Sequence, residues 1–125
     1  MRILLDTHIV LWSLLDSNKL SKKGHKILES ASEVYISPVS LWEIAIKVNI
    51  GKLKVDIVRI KEKIYESNFI EFPLNFEHVL ALNNLPDIHK DPFDRILIAQ
   101  ALSEPLKLIT SDPIVKKYSD LVELV

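Results

Sequence analysis

"MRILLDTHIVLWSLLDS", residues 1–17, is the stretch on which the fold turns. "RILL" (2–5) is a short apolar run cut off by Asp6, and it reads as a buried strand. Thr7 to about Asp16 continues as a strongly apolar helix, so a strand passes into a helix with a single acid at the junction. The stretch superficially resembles a leader peptide, with a basic residue followed by apolar ones. Asp6 and His8 interrupt that run, and no small-residue cleavage site follows. The run is also too short and broken to span a membrane.

The same alternation continues outward. Leu20 to Ser32 reads as a charged amphipathic helix, "VYIS" (34–37) as a second strand, and Leu41 to about Asn49 as a helix stopped near Gly51. Val55 to Ser67 is a further amphipathic helix, with Val58, Ile60, Ile64 and Tyr65 set among lysines and acids. "FIEF" (69–72) alternates like a half-exposed strand, and Phe76 to Asn84 is a helix closed before Pro86. Pro92 to Ser103 is a helix ended around Pro105. "LKLIT" (106–110) is a strand, Pro113 to Tyr118 a short helix, and "LVELV" (121–125) a last strand. No repeat, linker or low-complexity segment interrupts the series. Strands alternating with helices predict an α/β sandwich on a mainly parallel sheet, with residues 1–125 forming a single domain.

Composition narrows the function classes. Apolar residues make up 48% and charged residues 26%, the balance of a folded globular chain. Sixteen basic against 17 acidic groups give no case for tight, non-specific nucleic-acid binding, so a polyanion would have to meet a local basic patch or a bound metal. With no cysteine, disulfides, thiol catalysis and zinc–thiolate sites are excluded, which fits a cytoplasmic protein. A P-loop is absent.

In such a fold the carboxyl ends of strands and the amino ends of helices share one sheet edge. Asp6 ends the first strand, and Glu43 is expected in the first turn of the helix after the second. Asp91 and Asp94 open the helix before "LKLIT", and Asp112 follows that strand at once. Each has a purely structural account. Asp6 caps the helix from Thr7, "SLWE" (40–43) has the form of a capping box, and Asp91 and Asp112 are caps followed by proline. Capping, however, needs only one short polar residue per helix, and Ser, Thr or Asn serves as well. Converging carboxylates repel, and helix dipoles, worth under about 2 kcal/mol each, offset little of that. A divalent cation removes the difficulty, and an all-oxygen pocket points to Mg²⁺ or Mn²⁺ rather than zinc. Such an ion suits phosphate chemistry, alone or as a pair.

Four stretches, "LLDTHIVLW" (4–12), "SPVSLWEIAIK" (37–47) with "GKL" (51–53), "HKDPFDRILIAQA" (89–101) and "LITSD" (108–112), resemble a PIN-domain ribonuclease, and within that family the VapC-type toxins of toxin–antitoxin pairs. The likeness covers nearly the whole chain with order and spacing intact. It implies a three-layer α/β/α fold and a Mg²⁺- or Mn²⁺-dependent endoribonuclease. The implied acidic quartet is Asp6, Glu43, Asp94 and Asp112, with Asp6 and Asp94 as direct metal ligands. Asp91 is implied as an accessory acid, and Thr7, Ser40 and Thr110 as hydroxyls for waters or phosphate. The implied partners are an RNA substrate, a cognate antitoxin protein, a second copy in a homodimer, and DNA only through the antitoxin.

Other residues receive plainer readings. Arg95, an accessory candidate, could hold the substrate phosphate or pair with Asp91 or Asp94, and the pairing role is expected. Lys47 and Lys52 are read as solvated or dipole-compensating, and Trp12 and Trp42 as core or dimer contacts rather than base-stacking platforms. His8, His25, His78 and His89 are read as structural or surface groups; His89 alone stands beside the acid pair. The competing reading is a non-catalytic phosphate- or protein-binding module of the same fold, with the acids acting as caps. A receiver-like domain wants paired acids after the first strand and an acceptor Asp on a central strand, and a haloacid-dehalogenase-type phosphatase wants an Asp-x-Asp motif. Neither pattern is present.

Overall fold

The computed structural model describes residues 1–125. Five strands, β1 (Arg2–Leu5), β2 (Glu33–Ile36), β3 (Ile70–Glu71), β4 (Lys107–Thr110) and β5 (Val122–Leu124), form one sheet in the order β3-β2-β1-β4-β5, every neighbouring pair parallel. Seven helices connect them: α1 (Thr7–Leu15), α2 (Lys22–Ser30), α3 (Pro38–Asn49), α4 (Ile57–Glu66), α5 (Phe76–Ala81), α6 (Pro92–Ser103) and α7 (Pro113–Lys116). The expected α/β/α class holds, and the sheet is wholly rather than mainly parallel.

Alternation along the strands sorts side chains to the two faces. Ile3 and Leu5 of β1 join Ile9 and Val10 of α1, Ile44 of α3 and Ile60 and Ile64 of α4 in one buried layer. Leu4, between them, turns the other way onto Leu97, Ile98 and Ala101 of α6 and Val115 of α7. Burying each such Leu or Ile stabilises by about 1.5–3 kcal/mol. Because both faces of β1 are covered, its sequence is a continuous apolar run.

Helix starts follow the caps. Helix α2 begins at Lys22 rather than Leu20, since the Ser21 hydroxyl accepts the Gly24 N–H at 3.0 Å and Leu20 is drawn into the core. A Cβ on Gly24 would lie 2.7 Å from that Leu20 side chain, which would have to shift to admit it. Helix α3 begins at Pro38 rather than Leu41: Ser37 is the cap, accepting the Val39 N–H at 3.1 Å, and Pro38 fills the first position. Helix α3 ends before Gly51, whose φ of 77° is open to glycine. At the sheet edge β3 shrinks to two exposed residues, and α5 finishes as a 3-10 turn at Leu82–Asn84.

The chain starts at the sheet centre, steps outward through β2 and β3, then crosses to the other side through β4 and β5. Connections therefore diverge between β1 and β4, opening a crevice at their carboxyl ends. Asp6 follows β1 there, and Thr110 and Asp112 close β4.

Candidate active site

Asp6 leaves β1 and caps α1, its Oδ1 accepting the Ile9 N–H at 3.0 Å while Oδ2 accepts the Thr110 hydroxyl. Only 5% of the residue is exposed. Burial pushes its carboxyl up to about 6, against the two hydrogen bonds and with added repulsion from Glu43 and Asp112. The cap is real, but it does not explain the charge. Asp6 has no basic side chain in contact.

Glu43 lies in the second turn of α3, not the first, because the helix starts three residues earlier than expected. "SLWE" is therefore no capping box, and the plain account of Glu43 falls. Its Oε1 accepts the Thr7 hydroxyl at 2.7 Å, and Ser40 Oγ lies 3.1 Å from that hydroxyl. Oε2 meets Lys47 Nζ at 3.1 Å, one turn along the same helix.

In "HKDPFDR" the two aspartates divide the work. Asp91 caps α6, its Oδ1 accepting the N–H groups of Phe93 at 2.8 Å and Asp94 at 3.2 Å. Asp94, in the first turn, points elsewhere: Oδ2 stands 2.9 Å from His89 Nε2. Burial raises the Asp94 carboxyl to about 6, helped by repulsion from Asp91 and Asp6 and opposed by His89. Asp112 caps the short α7, Oδ1 accepting the Ile114 N–H at 2.9 Å, and Oδ2 lies 3.3 Å from the same His89 nitrogen. Its own N–H donates to Thr110 Oγ1 at 3.1 Å, so Thr110 ties Asp6 to Asp112. Ligand atoms of His89, Asp94 and Asp112 all lie within 4.8 Å of one another; Asp6 and Glu43 stand outside that close triad but within its field.

Carboxylates of Asp6, Glu43, Asp94 and Asp112 reach one crevice from β1, α3, α6 and β4. The chain matches the family model of the PIN domain over residues 3–121. It belongs to the PIN-domain family. Solved structures share the fold. VapBC2 from Rickettsia felis, bound to a DNA fragment from its promoter, superposes with a TM-score of 0.67 at 17% identity, over 100% of this chain and 98% of that one. FitAcB from Neisseria gonorrhoeae gives 0.66 at 16%, over 98% and 96%. A toxin–antitoxin complex from Klebsiella pneumoniae gives 0.65 at 19%, over 97% and 95%. No curated protein matches the sequence.

Several side chains of this PIN domain depart from expectation. Arg95 pairs with neither Asp91 nor Asp94. Its guanidinium donates to the Pro86 carbonyl at 3.0 Å, the Tyr118 hydroxyl at 3.1 Å and, at 3.5 Å, the His89 carbonyl. Tyr118, which no sequence motif singled out, accepts the His89 N–H at 2.7 Å and the Ile88 N–H at 3.3 Å. Arg95 and Tyr118 together fasten the segment that carries His89. Lys47 is not merely solvated but paired with Glu43. Trp42 is 60% exposed with its ring edge-on to Phe93, centroids 5.0 Å apart, so it is not a core residue. Thr7, Ser40 and Thr110 are buried, and Thr7 and Thr110 donate to carboxylates.

The donor set fits a hard divalent cation. Five carboxyl groups face Lys47 and His89 as their only close cationic or potentially cationic groups, and burial, with like-charge repulsion added, holds two of the acids near 6. Beside Glu43 a groove of about 350 Å³ runs between His8, Trp12, Lys19, Lys47 and Lys52, with the rings of His8 and Trp12 5.9 Å apart.

Proposed function

We propose that this PIN domain, spanning residues 1–125, is a Mg²⁺- or Mn²⁺-dependent endoribonuclease and the toxin of a toxin–antitoxin pair. The observation that carries the reading is the convergence of Asp6, Glu43, Asp94 and Asp112 on one crevice where only Lys47 and His89 come close to them; burial first, and repulsion among these acids second, holds Asp6 and Asp94 at about 6. Asp6 and Asp94 would hold the ion, with Glu43 and Asp112 orienting waters and substrate around it. The bound ion would supply Lewis acidity toward a phosphate oxygen and a more nucleophilic water.

The protein's own groups do the positioning. Thr7 fixes the Glu43 carboxylate, and Thr110 aligns Asp6 with Asp112. The lysines at the groove draw the RNA backbone to an otherwise acidic site, and His8 and Trp12 offer ring faces to its bases. In the reaction the water oxygen bonds to phosphorus as the bond to the 3′ oxygen breaks. The 3′ oxygen takes up a proton, leaving 5′-phosphate and 3′-hydroxyl ends.

The toxin assignment is supported by the three solved relatives, two of them complexes of the VapBC and FitAB kind and one a toxin–antitoxin complex. On this reading the chain works in the cytoplasm, forms a homodimer, is silenced by a cognate antitoxin and meets DNA only through it. No helix is long and apolar enough to cross a membrane. The test is cleavage of total cellular RNA by antitoxin-free protein with Mg²⁺ or Mn²⁺, beside Asp94→Asn. Discrete products that vanish with EDTA and in the variant are expected. An inert protein that binds neither ion would instead favour a binding module, whose acids serve as the caps seen at Asp6, Asp91 and Asp112.

A further inference from the structure

We infer that His89 is a nitrogen ligand of the metal centre and that it makes the site select a first-row transition ion such as Mn²⁺ over Mg²⁺. The inference rests on the metal-dependent reading above. For bonds of about 2.1 Å, adjacent corners of an octahedron lie about 3.0 Å apart and opposite corners about 4.2 Å. His89 Nε2 stands 2.9 Å from Asp94 Oδ2 and 3.3 Å from Asp112 Oδ2, and all three ligand atoms fall within 4.8 Å of one another. His89 Nε2 thus stands at an adjacent-corner spacing from Asp94, one of the two acids proposed above to hold the ion, with Asp112 close behind.

The imidazole is also held in place from outside the triad. Tyr118 takes the His89 N–H, Arg95 reaches the His89 carbonyl, and Arg95 donates to Tyr118 in turn. The ring is half-buried, so little freedom is left to lose on coordination. On coordination the Nε2 lone pair faces the ion, the ring's hydrogen resides on Nδ1, and no oxidation state changes.

Chemistry then sets the preference. Mg²⁺ takes oxygen ligands almost exclusively and dehydrates reluctantly, whereas imidazole is an ordinary ligand of first-row transition ions. One imidazole among carboxylates therefore raises the affinity for Mn²⁺ while adding little for Mg²⁺.

The test is pulsed electron paramagnetic resonance of antitoxin-free protein loaded with Mn²⁺, with calorimetric titration of Mn²⁺ and Mg²⁺ into the parent and His89→Gln. Expected is a ¹⁴N coupling in the parent that is lost in His89→Gln. Mn²⁺ affinity should fall about tenfold or more and Mg²⁺ affinity by less than about threefold. The spectrum of the unmodified parent is decisive without any variant. Mn²⁺ bound with no nitrogen coupling overturns the ligand assignment and leaves the carboxylate site standing. Equal losses for both ions overturn the selectivity, reducing His89 to an orienting group. Absence of binding by either ion removes the metal-dependent reading itself, and this inference with it.

Discussion

Replacing Asp6 by asparagine should make the metal-free protein more stable, although it removes a residue assigned to the reaction. A carboxyl raised from 3.8 to about 6 binds its proton more tightly in the folded state than in the unfolded one. Below about pH 3.8 the group is protonated in both states and costs nothing. As pH rises toward 6 the unfolded chain ionises freely while the folded one resists, so stability falls. Above 6 the full penalty applies, about 3 kcal/mol for a rise of this size. Asparagine keeps the shape and can still accept the Ile9 N–H, but its amide replaces the acceptor that Thr110 uses. The net gain for Asp6→Asn is therefore about 1–3 kcal/mol at pH 8 in EDTA, shrinking to well under about 1 kcal/mol at pH 4. Urea unfolding of both proteins at the two pH values measures it. An Asp6→Asn protein no more stable than the parent at pH 8, or a difference that ignores pH, would refute the claim that the ionised carboxylate is strained by burial and like charge.

Saturating Mn²⁺ at about 100 times its dissociation constant should add about 2.7 kcal/mol to the parent, read as a rise in Tm, and leave Asp94→Asn nearly unmoved. Thr7→Val strips the buried Glu43 oxygen of its donor and should cost about 1–3 kcal/mol in urea unfolding, with RNA cleavage reduced as well. Lys47→Ala breaks a partly exposed pair and should cost under about 1 kcal/mol in the same assay. Asp112→Asn keeps the cap on Ile114 and should change stability little while weakening Mn²⁺ binding. Asp112→Ala loses both, and about 0.5–2 kcal/mol of stability with them, as paired unfolding and calorimetric titrations would reveal.

What could be read in the sequence follows from how local each signal is. The strand "RILL" and the helix after it are fixed by apolar runs and by one acid between them, and Pro92 to Ser103 is bounded by its own cap and proline. The start of α3 is harder because Ser37 and Ser40 are both admissible caps; proline at position 38 favours the first, and the choice moves Glu43 by a helical turn. That shift matters to function, since it removes the capping explanation of Glu43. His89 stands next to "DPFD" and was visible as a neighbour, but its two acid contacts depend on β4 delivering Asp112. Tyr118 was out of reach altogether: its contact with His89 spans 29 residues and no periodicity marks it. For Arg95, sequence proximity to two acids is a poor guide, because the Pro86 and His89 carbonyls take its guanidinium instead.

The competition between cap and metal ligand dissolves once the two oxygens of a carboxylate are counted separately. Helix amino ends gather at the carboxyl edge of a parallel sheet, so hydrogen-bond acceptors are needed there in any case. Serine or asparagine meets that need with one oxygen and brings no charge. Aspartate meets it with one oxygen and has a second, charged one to spare. Asp112 shows the division directly, with Oδ1 on the Ile114 N–H and Oδ2 turned to His89. Asp6 shows it too, with Oδ1 on the Ile9 N–H and Oδ2 shared with Thr110 at the floor of the crevice. At α6 the same need is met by two residues, Asp91 taking the helix N–H groups and leaving Asp94 free for the site. At Asp6 and Asp112 the capping bond holds the carboxylate by its first oxygen and so fixes where the second one points. A fold that must cap its helices at this edge therefore also gathers anionic oxygens there, and their crowding carries a cost that a bound cation would relieve.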